Sequence, residues 1–195
     1  MKKQIKLHIK KHTKKIIATL IIVFALIFMF NNGGNKMTIV ILETSKGNIE
    51  IELNQEKAPI SVKNFLNYVD KKHYDGTVFH RVISNFMIQG GGFTPDGEQK
   101  PVDSPIKLES NNDLKNDEGT IAMARTIVPD SATSQFFINV KDNDPLNYAT
   151  GNDGYAVFGK VTSGMEVVNE IKAVTTGIKF RMQDWPTEDV VITKV

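Results

Sequence analysis

A short segment near the middle of the chain, residues 79–92 with the sequence FHRVISNFMIQGGG, constrains the fold most strongly. Two apolar runs flank a Ser-Asn pair that favours turns, so the segment is predicted to form a β-hairpin. A three-residue loop would place Arg81 opposite Gln89, whereas a two-residue loop would place Arg81 opposite Ile88. We favour the first register because it gathers the polar side chains on one face.

In this register, one face of the hairpin carries Arg81, Met87 and Gln89, with Phe86 at the turn. A guanidinium that is always charged, an amide and two large apolar side chains form a shallow site that grips an apolar group while donating hydrogen bonds beside it. Such a site suits a peptide, and proline in particular. An arginine on a strand is also commonly a solvated surface residue, so the hairpin alone leaves both interpretations open.

Strand and helix patterns extend over residues 37–195. Residues 38–44 and 48–53 predict a first hairpin, and an amphipathic helix from Pro59 carries an apolar face of Val62, Phe65, Leu66 and Val69. The sequence GMEVVNEIKAV predicts a second helix, and VVITKV predicts a last strand that pairs with the first. Many strands with two helices predict a mainly β protein, a closed barrel capped at its ends, because closure removes exposed edges.

Polar segments and isolated histidines complete the domain. Residues 93–116, rich in Pro, Asp, Ser and Asn, are predicted to form long surface loops, and RMQDWPTED is predicted to be a C-terminal loop containing Trp185. His73 is expected to be a surface or capping residue after the first helix, and His80 to be buried. Phe136 and Phe137 are adjacent on a strand and point in opposite directions, so one of them is expected to be core.

Charge is distributed unevenly along the chain. Residues 1–36 hold eight lysines and no acidic residue, whereas residues 37–195 hold 16 basic and 22 acidic residues, a formal net charge of −6. A nucleic-acid partner is therefore not expected for the globular part. The absence of cysteine excludes disulfides, thiolate nucleophiles and cysteine-based zinc sites, and four scattered histidines predict neither a metal site nor a cofactor.

The N-terminus has the order of a secretion signal or signal-anchor. A basic run, residues 1–15, precedes an uncharged apolar run, residues 16–30, and a short linker, residues 31–36. Fifteen helical residues span about 22 Å, less than the roughly 30 Å hydrocarbon core, although snorkelling lysines compensate in part. No A-x-A-like cleavage site follows, which favours an uncleaved anchor with the domain outside the cytoplasm. Cleavage to a secreted or periplasmic form and translation from Met37 remain alternatives.

The hairpin sequence is followed in order by GTIAMART, SQFFINV and YAVFGKV. This series, over residues 37–195, resembles the cyclophilin family of peptidyl-prolyl cis-trans isomerases, in its bacterial branch. The resemblance implies a closed antiparallel eight-stranded β-barrel capped by two α-helices. It also implies an isomerase that needs no cofactor, acts on proline-containing polypeptides and is expected to be a monomer.

The resemblance implies roles for individual residues. Arg81 corresponds to the donor aimed at the nitrogen of the twisted amide, and Gln89 to the glutamine that contacts substrate and orients the arginine. The walls of the proline pocket correspond to Phe86, Met87, Phe137 and Leu146. The groove for the peptide backbone corresponds to Ala124, Arg125 and Gln135. From the residues alone, Gln135 could instead satisfy a backbone group at a strand end.

Two positions depart from the pattern of many eukaryotic cyclophilins. Pro145 stands where those proteins have a tryptophan beside the proline pocket, and Tyr155 replaces a pocket histidine. Tyr155 still donates a hydrogen bond, so the departure bears on cyclosporin binding and not on isomerisation. A proline-binding chaperone module without turnover is the alternative function. The retained Arg81 favours the enzyme, because binding a proline ring requires no guanidinium.

Overall fold

The computed structural model describes residues 38–195; the predicted anchor at residues 16–30 and its linker lie outside the described residues. The described part contains ten strands, two α-helices and one short 3-10 helix. In chain order these elements are β1 (Thr38–Thr44), β2 (Gly47–Leu53), α1 (Pro59–Asp70), β3 (Thr77–Ile83), β4 (Met87–Gly90), β5 (Thr120–Met123), β6 (Phe136–Asn139), the 3-10 helix (Asp144–Leu146), β7 (Val157–Ser163), α2 (Met165–Lys172), β8 (Thr176–Lys179), β9 (Met182–Pro186) and β10 (Val191–Lys194).

Eight of the strands close into an antiparallel barrel in the order β1-β10-β3-β4-β6-β5-β7-β2. Strand β10 pairs with β1 through Glu43 opposite Lys194, so the predicted pairing of the last strand with the first is confirmed. Closure gives every strand of the barrel two hydrogen-bonded neighbours, which removes the edges that would otherwise invite aggregation. The predicted mainly β fold, an eight-stranded closed barrel with two helices, is confirmed for the described residues.

Several barrel strands are buried on both faces, which explains why their sequences do not alternate between apolar and polar residues. All four residues of β5 and all four residues of β6 are buried. Phe136 belongs to the main core inside the barrel, whereas Phe137 belongs to a second group on the outside, which we call the outer cluster: Met87, Ala122, Phe137 and Val157. The prediction that one of the two phenylalanines is core is therefore confirmed, and the other lies beneath an external surface.

The two helices pack against the main core through their apolar faces, and in α1 this is the face that the sequence predicted. In α1, Val62 and Phe65 are fully buried, and in α2, Val168 and Ile171 are fully buried. The first turn of α1 is capped by the carboxylate of Glu109, which accepts hydrogen bonds from two backbone N–H groups and one hydroxyl of the helix. Within residues 38–195, no helix is both long and apolar enough to cross a membrane.

Residues 93–116 form loops, as predicted, whereas His73, after helix α1, differs in part from its prediction. Residues 93–116 contain no helix and no extended strand, only isolated bridges. His73 was predicted to be a surface or capping residue: the surface prediction is wrong, but its backbone N–H donates a 2.9 Å hydrogen bond to the carbonyl oxygen of Tyr68 and so caps the end of α1. Helix α1 ends at Asp70, and the His73 ring is buried 4.7 Å from the ring of Tyr68, with Nε2 3.3 Å from the carbonyl oxygen of Gly91. Burial, and then the nearby charge of Lys100, lower the pKa of His73.

The predicted C-terminal loop is instead a two-stranded hairpin, β8–β9, that contains Trp185. Its turn residues, Phe180 and Arg181, have φ angles of 53° and 64°. A two-residue hairpin turn with both φ angles positive normally uses Asn and Gly, so the sequence carried no recognisable turn signal. The Trp185 side chain is 1% exposed, and its indole N–H donates a 2.8 Å hydrogen bond to Asp189. Its ring packs against His80 of β3, with centroids 6.0 Å apart, which anchors the hairpin to the barrel.

Candidate active site

A β-bulge in the central hairpin places Arg81 on the outside of the barrel. Arg81 lies opposite Gln89, as the preferred register predicted, but the register shifts between Phe79 and Arg81, so His80 is an extra residue. Phe79 and Val82 both point into the main core. Regular alternation would have put Arg81 on the same face as Phe79, inside the barrel. The bulge therefore sends the guanidinium to the outer surface, where the outer cluster lies.

The predicted site residues come together on this surface. A cavity of about 110 Å³ is lined by nine of them: Arg81, Phe86, Met87, Gln89, Ala124, Arg125, Phe137, Leu146 and Tyr155. Gln135, the tenth, lines an adjoining cavity of about 190 Å³ that shares Gln89, Ala124 and Arg125 with the first. The structure thus gathers all ten residues into one continuous groove with two depressions.

The floor of the smaller cavity is apolar. Met87 and Phe137 are buried, and the half-buried side chains of Phe86, Leu146 and Tyr155 pack against the outer cluster around them. The ring of Tyr155 meets that of Phe137 edge to face with centroids 5.6 Å apart. Tyr155 therefore forms a wall of the cavity, at the position where the resemblance implied a substitution for histidine.

Arg81 stands at the rim of this cavity with few contacts. Its side chain is 41% exposed, its guanidinium carbon lies 6.0 Å from the centroid of the Phe86 ring, and its Nε lies 3.9 Å from a carboxylate oxygen of Asp184. In the described part of the chain, neither terminal nitrogen of Arg81 donates a hydrogen bond. Two charged donors are consequently available to a group bound in the cavity.

Arg81 and Gln89 are cross-strand partners, as predicted, but no hydrogen bond joins their side chains within the described residues. The Gln89 side-chain nitrogen donates instead to the side-chain oxygen of Gln135, at 2.9 Å. Gln89 and Arg81 are neighbours across the hairpin, but the amide turns towards the next strand. Gln135 therefore does more than satisfy a backbone group, since it holds Gln89 between the two depressions.

Arg125 acts as a brace between two loops. Its guanidinium donates two hydrogen bonds to the carbonyl oxygen of Gly154, at 2.9 and 2.7 Å, and one to its neighbour Thr126. The same group lies 4.6 Å from the centroid of the Tyr155 ring. With three of its five N–H groups engaged, Arg125 holds the wall of the groove in place.

A buried asparagine network, which sequence reasoning missed, holds the walls of the cavity. The amide of Asn143 donates to the carbonyl oxygen of Phe86 and to the side chain of Asn139, both at 2.7 Å. The amide of Asn116 donates to the carbonyl oxygen of Leu146 at 3.0 Å. All three asparagines are buried. Asn116 and Asn143 lie in loops, where asparagine is common in turns. The one available signal was Asn139, a polar residue that ends the otherwise apolar strand β6.

His80, beside Arg81, is neutral at physiological pH. Burial lowers its pKa from 6.5 to about 4. Its ring packs against Phe93, with centroids 4.7 Å apart, and against Trp185, with centroids 6.0 Å apart. The expectation that His80 is buried is confirmed. His80 therefore adds no positive charge beside the guanidinium of Arg81.

The site offers groups for non-covalent binding. Among residues 38–195, no three His, Asp or Glu side chains come close enough to hold a metal ion. The groove instead combines an apolar cavity, a charged donor with free N–H groups and a pair of amides. This combination binds a small apolar ring and offers hydrogen bonds to the polypeptide backbone on either side of it.

Comparison with known proteins gives the family. The family model for cyclophilin type peptidyl-prolyl cis-trans isomerases matches residues 39–195. A Streptomyces antibioticus peptidyl-prolyl cis-trans isomerase is 58% identical over 159 residues, which cover 80% of this chain and 96% of the relative. Peptidyl-prolyl cis-trans isomerase A of Dickeya dadantii is 50% identical over 181 residues, which cover 92% of this chain and 95% of the relative.

A solved structure shows the same fold. The cyclophilin type peptidyl-prolyl cis-trans isomerase of Cryptosporidium parvum, crystallised in the presence of the dipeptide Ala-Pro, superposes with a TM-score of 0.66 at 28% identity. The match covers 80% of this chain and 96% of that one. Sequence motifs, barrel topology and relatives agree that this chain belongs to the cyclophilin family and is a peptidyl-prolyl cis-trans isomerase.

Proposed function

We propose that Arg81 is the catalytic donor for rotation about an X-Pro bond whose proline ring occupies the 110 Å³ cavity. The observation that carries this assignment is the pair of terminal Arg81 nitrogens, which make no hydrogen bond within the described residues and lie at the rim of an apolar cavity. Phe86, Met87, Phe137, Leu146 and Tyr155 surround the ring. Gln89, Ala124, Arg125 and Gln135 line the path of the peptide backbone.

The physical basis is differential binding of the twisted amide. The barrier to rotation about a peptide bond is about 18–20 kcal/mol, and X-Pro bonds interconvert over tens to hundreds of seconds. When the bond twists, its nitrogen loses conjugation and becomes pyramidal and basic. A hydrogen bond from Arg81 to that nitrogen forms only in the twisted state, so it lowers the barrier without strengthening ground-state binding. The guanidinium remains charged throughout.

The experiment compares catalysed cis/trans relaxation of a proline tetrapeptide by the wild-type protein, Arg81→Ala, Arg81→Lys and Arg181→Ala. We expect Arg81→Ala to lower kcat/KM about 100-fold or more, the loss typical of removing a charge-stabilising donor, while peptide affinity changes much less. Arg81→Lys keeps the charge and loses the fork of donors, so we expect only partial activity. Arg181→Ala removes an exposed arginine from a hairpin turn and serves as the matched control.

The same experiment distinguishes the enzyme from a chaperone module that binds proline segments without turnover. Equal losses of kcat/KM and peptide affinity in Arg81→Ala would support the module. A wild-type protein that binds the tetrapeptide and does not accelerate its relaxation would also support it. Unchanged kcat/KM in Arg81→Ala would overturn the catalytic assignment of Arg81.

We further propose that the N-terminal segment tethers the domain to a membrane, with the domain outside the cytoplasm and exported polypeptides as substrates. The basic run at 1–15 and the apolar run at 16–30 support this orientation, since lysines are retained on the cytoplasmic side. The match to the Dickeya relative spans 181 residues, more than the domain alone contains, which favours a translation start upstream of Met37.

Fractionation of cells that produce the full chain tests the tether. We expect full-length protein in the membrane fraction, accessible to protease added outside the cytoplasmic membrane. A version that begins at Met37 is the control and is expected to remain in the soluble fraction. Full-length protein in the soluble fraction would contradict the tether, and a soluble, shortened protein outside the cytoplasm would show a cleaved signal.

A further inference from the structure

The β8–β9 hairpin, which lies outside the barrel, is fixed against the strand that carries Arg81. Its buried residue, Trp185, packs against His80 and against Phe93, with centroids 6.0 and 6.1 Å apart. The Trp185 indole N–H donates a hydrogen bond to the Asp189 carboxylate, and Lys179 Nζ donates another to the same carboxylate at 2.7 Å. Strand β9 is therefore held in one position beside β3.

This anchoring brings a carboxylate to Arg81. Asp184 and Trp185 are adjacent in β9, and His80 and Arg81 are adjacent in β3. The two strands therefore make two contacts where they meet. Trp185 meets His80 in the buried layer, and Asp184 Oδ2 approaches Arg81 Nε to 3.9 Å at the surface. Asp184 adopts a φ of 61°, a left-handed conformation that Asp and Asn tolerate better than other side chains.

Asp184 is the acidic partner of Arg81 in the described structure. No other ion pair involves Arg81 within residues 38–195, and Gln89, the expected orienting residue, donates to Gln135. The guanidinium carbon also lies 6.0 Å from the centroid of the Phe86 ring. The nearest approach of the carboxylate is to Nε, which leaves both terminal nitrogens unoccupied.

We propose that Asp184 is a positioning residue for Arg81: its carboxylate attracts the Nε edge of the guanidinium and keeps the terminal nitrogens available to the proline cavity. The inference rests on the proposed role of Arg81. The Asp184 and Arg81 side chains are 40% and 41% exposed, so salt screens their attraction and its effect is modest. The hairpin thus contributes to catalysis without touching the substrate.

A double-mutant cycle on the full chain tests the proposal. Asp184→Asn keeps the shape and the tolerance for positive φ and removes the charge. We expect it to lower kcat about two- to fivefold with little change in KM, the range expected for an exposed ion pair. Glu188→Gln removes a charge from an exposed position just beyond the same hairpin and is expected to have no effect. In an Arg81→Ala background, Asp184→Asn should cause no further loss.

A second measurement does not depend on activity. The chain contains three arginines, so the side-chain Nε–Hε signals in a ¹⁵N spectrum are few, and the Arg81 signal is identified by its loss in Arg81→Ala. We expect Asp184→Asn to shift and broaden the Arg81 signal while the Arg125 and Arg181 signals stay unchanged. Glu188→Gln should leave all three signals unchanged.

The outcomes separate this inference from the proposed function. An unchanged Arg81 signal in Asp184→Asn, or the same loss of kcat/KM in the presence and absence of Arg81, would overturn the positioning role of Asp184 and leave the role of Arg81 intact. Wild-type activity in Arg81→Ala would instead overturn the proposed function.

Discussion

The side-chain nitrogen of Gln89 donates a 2.9 Å hydrogen bond to the side-chain oxygen of Gln135, which links β4 to the residue that precedes β6. The two amides lie where the proline cavity meets the adjoining cavity. Each amide retains further donors or acceptors after this bond is made. The pair is therefore both a structural tie between neighbouring strands and a set of hydrogen-bonding groups along the groove.

Removing the Gln135 amide should impair the enzyme through Gln89. We expect Gln135→Ala to lower kcat/KM about fivefold, the effect of losing one neutral hydrogen bond that orients a site residue. Relaxation of a proline tetrapeptide measures the change. Gln55→Ala, which truncates an exposed glutamine after β2, is the control. A loss no greater than that in the control would contradict the orienting role of Gln135.

Because Gly92 has no side chain, the Gln135 side chain can pack directly against its backbone. A methyl group at Gly92 would lie 2.6 Å from Gln135 Cγ and 2.7 Å from its Nε2, too close for either atom to remain in place. We therefore expect Gly92→Ala to displace the amide and to lower kcat/KM about as much as Gln135→Ala, about fivefold. The double variant Gly92→Ala/Gln135→Ala should be no worse than Gln135→Ala alone. Additive losses would indicate that Gly92 acts on something other than Gln135.

The buried asparagine network should contribute to both stability and activity. Asn143→Ala removes the donor to the side-chain oxygen of Asn139 and one of two donors to the carbonyl oxygen of Phe86, which keeps its 3.2 Å bond from the Val140 N–H. We expect the free energy of unfolding to fall by about 2–3 kcal/mol, because buried acceptors lose hydrogen bonds that water does not replace. Urea denaturation measures this change, with the exposed Asn111→Ala as control. Equal stability of the two variants would contradict the prediction.

The depressed pKa of His80 predicts a stability that falls in acid. The folded protein holds His80 at a pKa of about 4, below the value of about 6.5 for an unperturbed histidine, so the unfolded chain takes up the proton first as the pH decreases. Stability contributed by the neutral ring is complete above about pH 6.5 and decreases by up to about 3 kcal/mol on approaching pH 4.

Urea denaturation between about pH 7 and pH 4.5 checks this dependence. We expect His80→Phe, which keeps an aromatic ring against Phe93 and Trp185, to lose less stability in acid than the wild type does. His73, whose pKa is also lowered by burial, titrates in both proteins and accounts for part of the remaining slope. Parallel pH dependences of wild type and variant would show that His80 does not control this loss.

Much of the architecture follows from local patterns. The apolar alternation of β2, the helical spacing of Val62 and Phe65, and the turn residues of the central hairpin indicated the correct elements. The register of Arg81 opposite Gln89 was the one that gathers the polar side chains on one face. The ordered motifs then indicated the family. These features are readable because they depend on residues a few positions apart.

Other features of the site depend on contacts between distant segments. The bulge at His80 is set where β3 meets β4 and the buried Trp185, and no local pattern marks the extra residue. The β8–β9 turn places Phe180 and Arg181 in left-handed conformations that their side chains do not favour. Packing against the barrel compensates for this local cost, and local propensity therefore predicted a loop.

The sequence by itself determined the family, the closed mainly β barrel, the central hairpin and the ten residues of the groove. Only the tertiary structure decided that Gln89 pairs with Gln135, that buried asparagines hold the cavity walls and that Asp184 stands beside Arg81. Side-chain polarity and periodicity are properties of a segment, whereas the choice of hydrogen-bond partner depends on which segments barrel closure brings within about 3 Å.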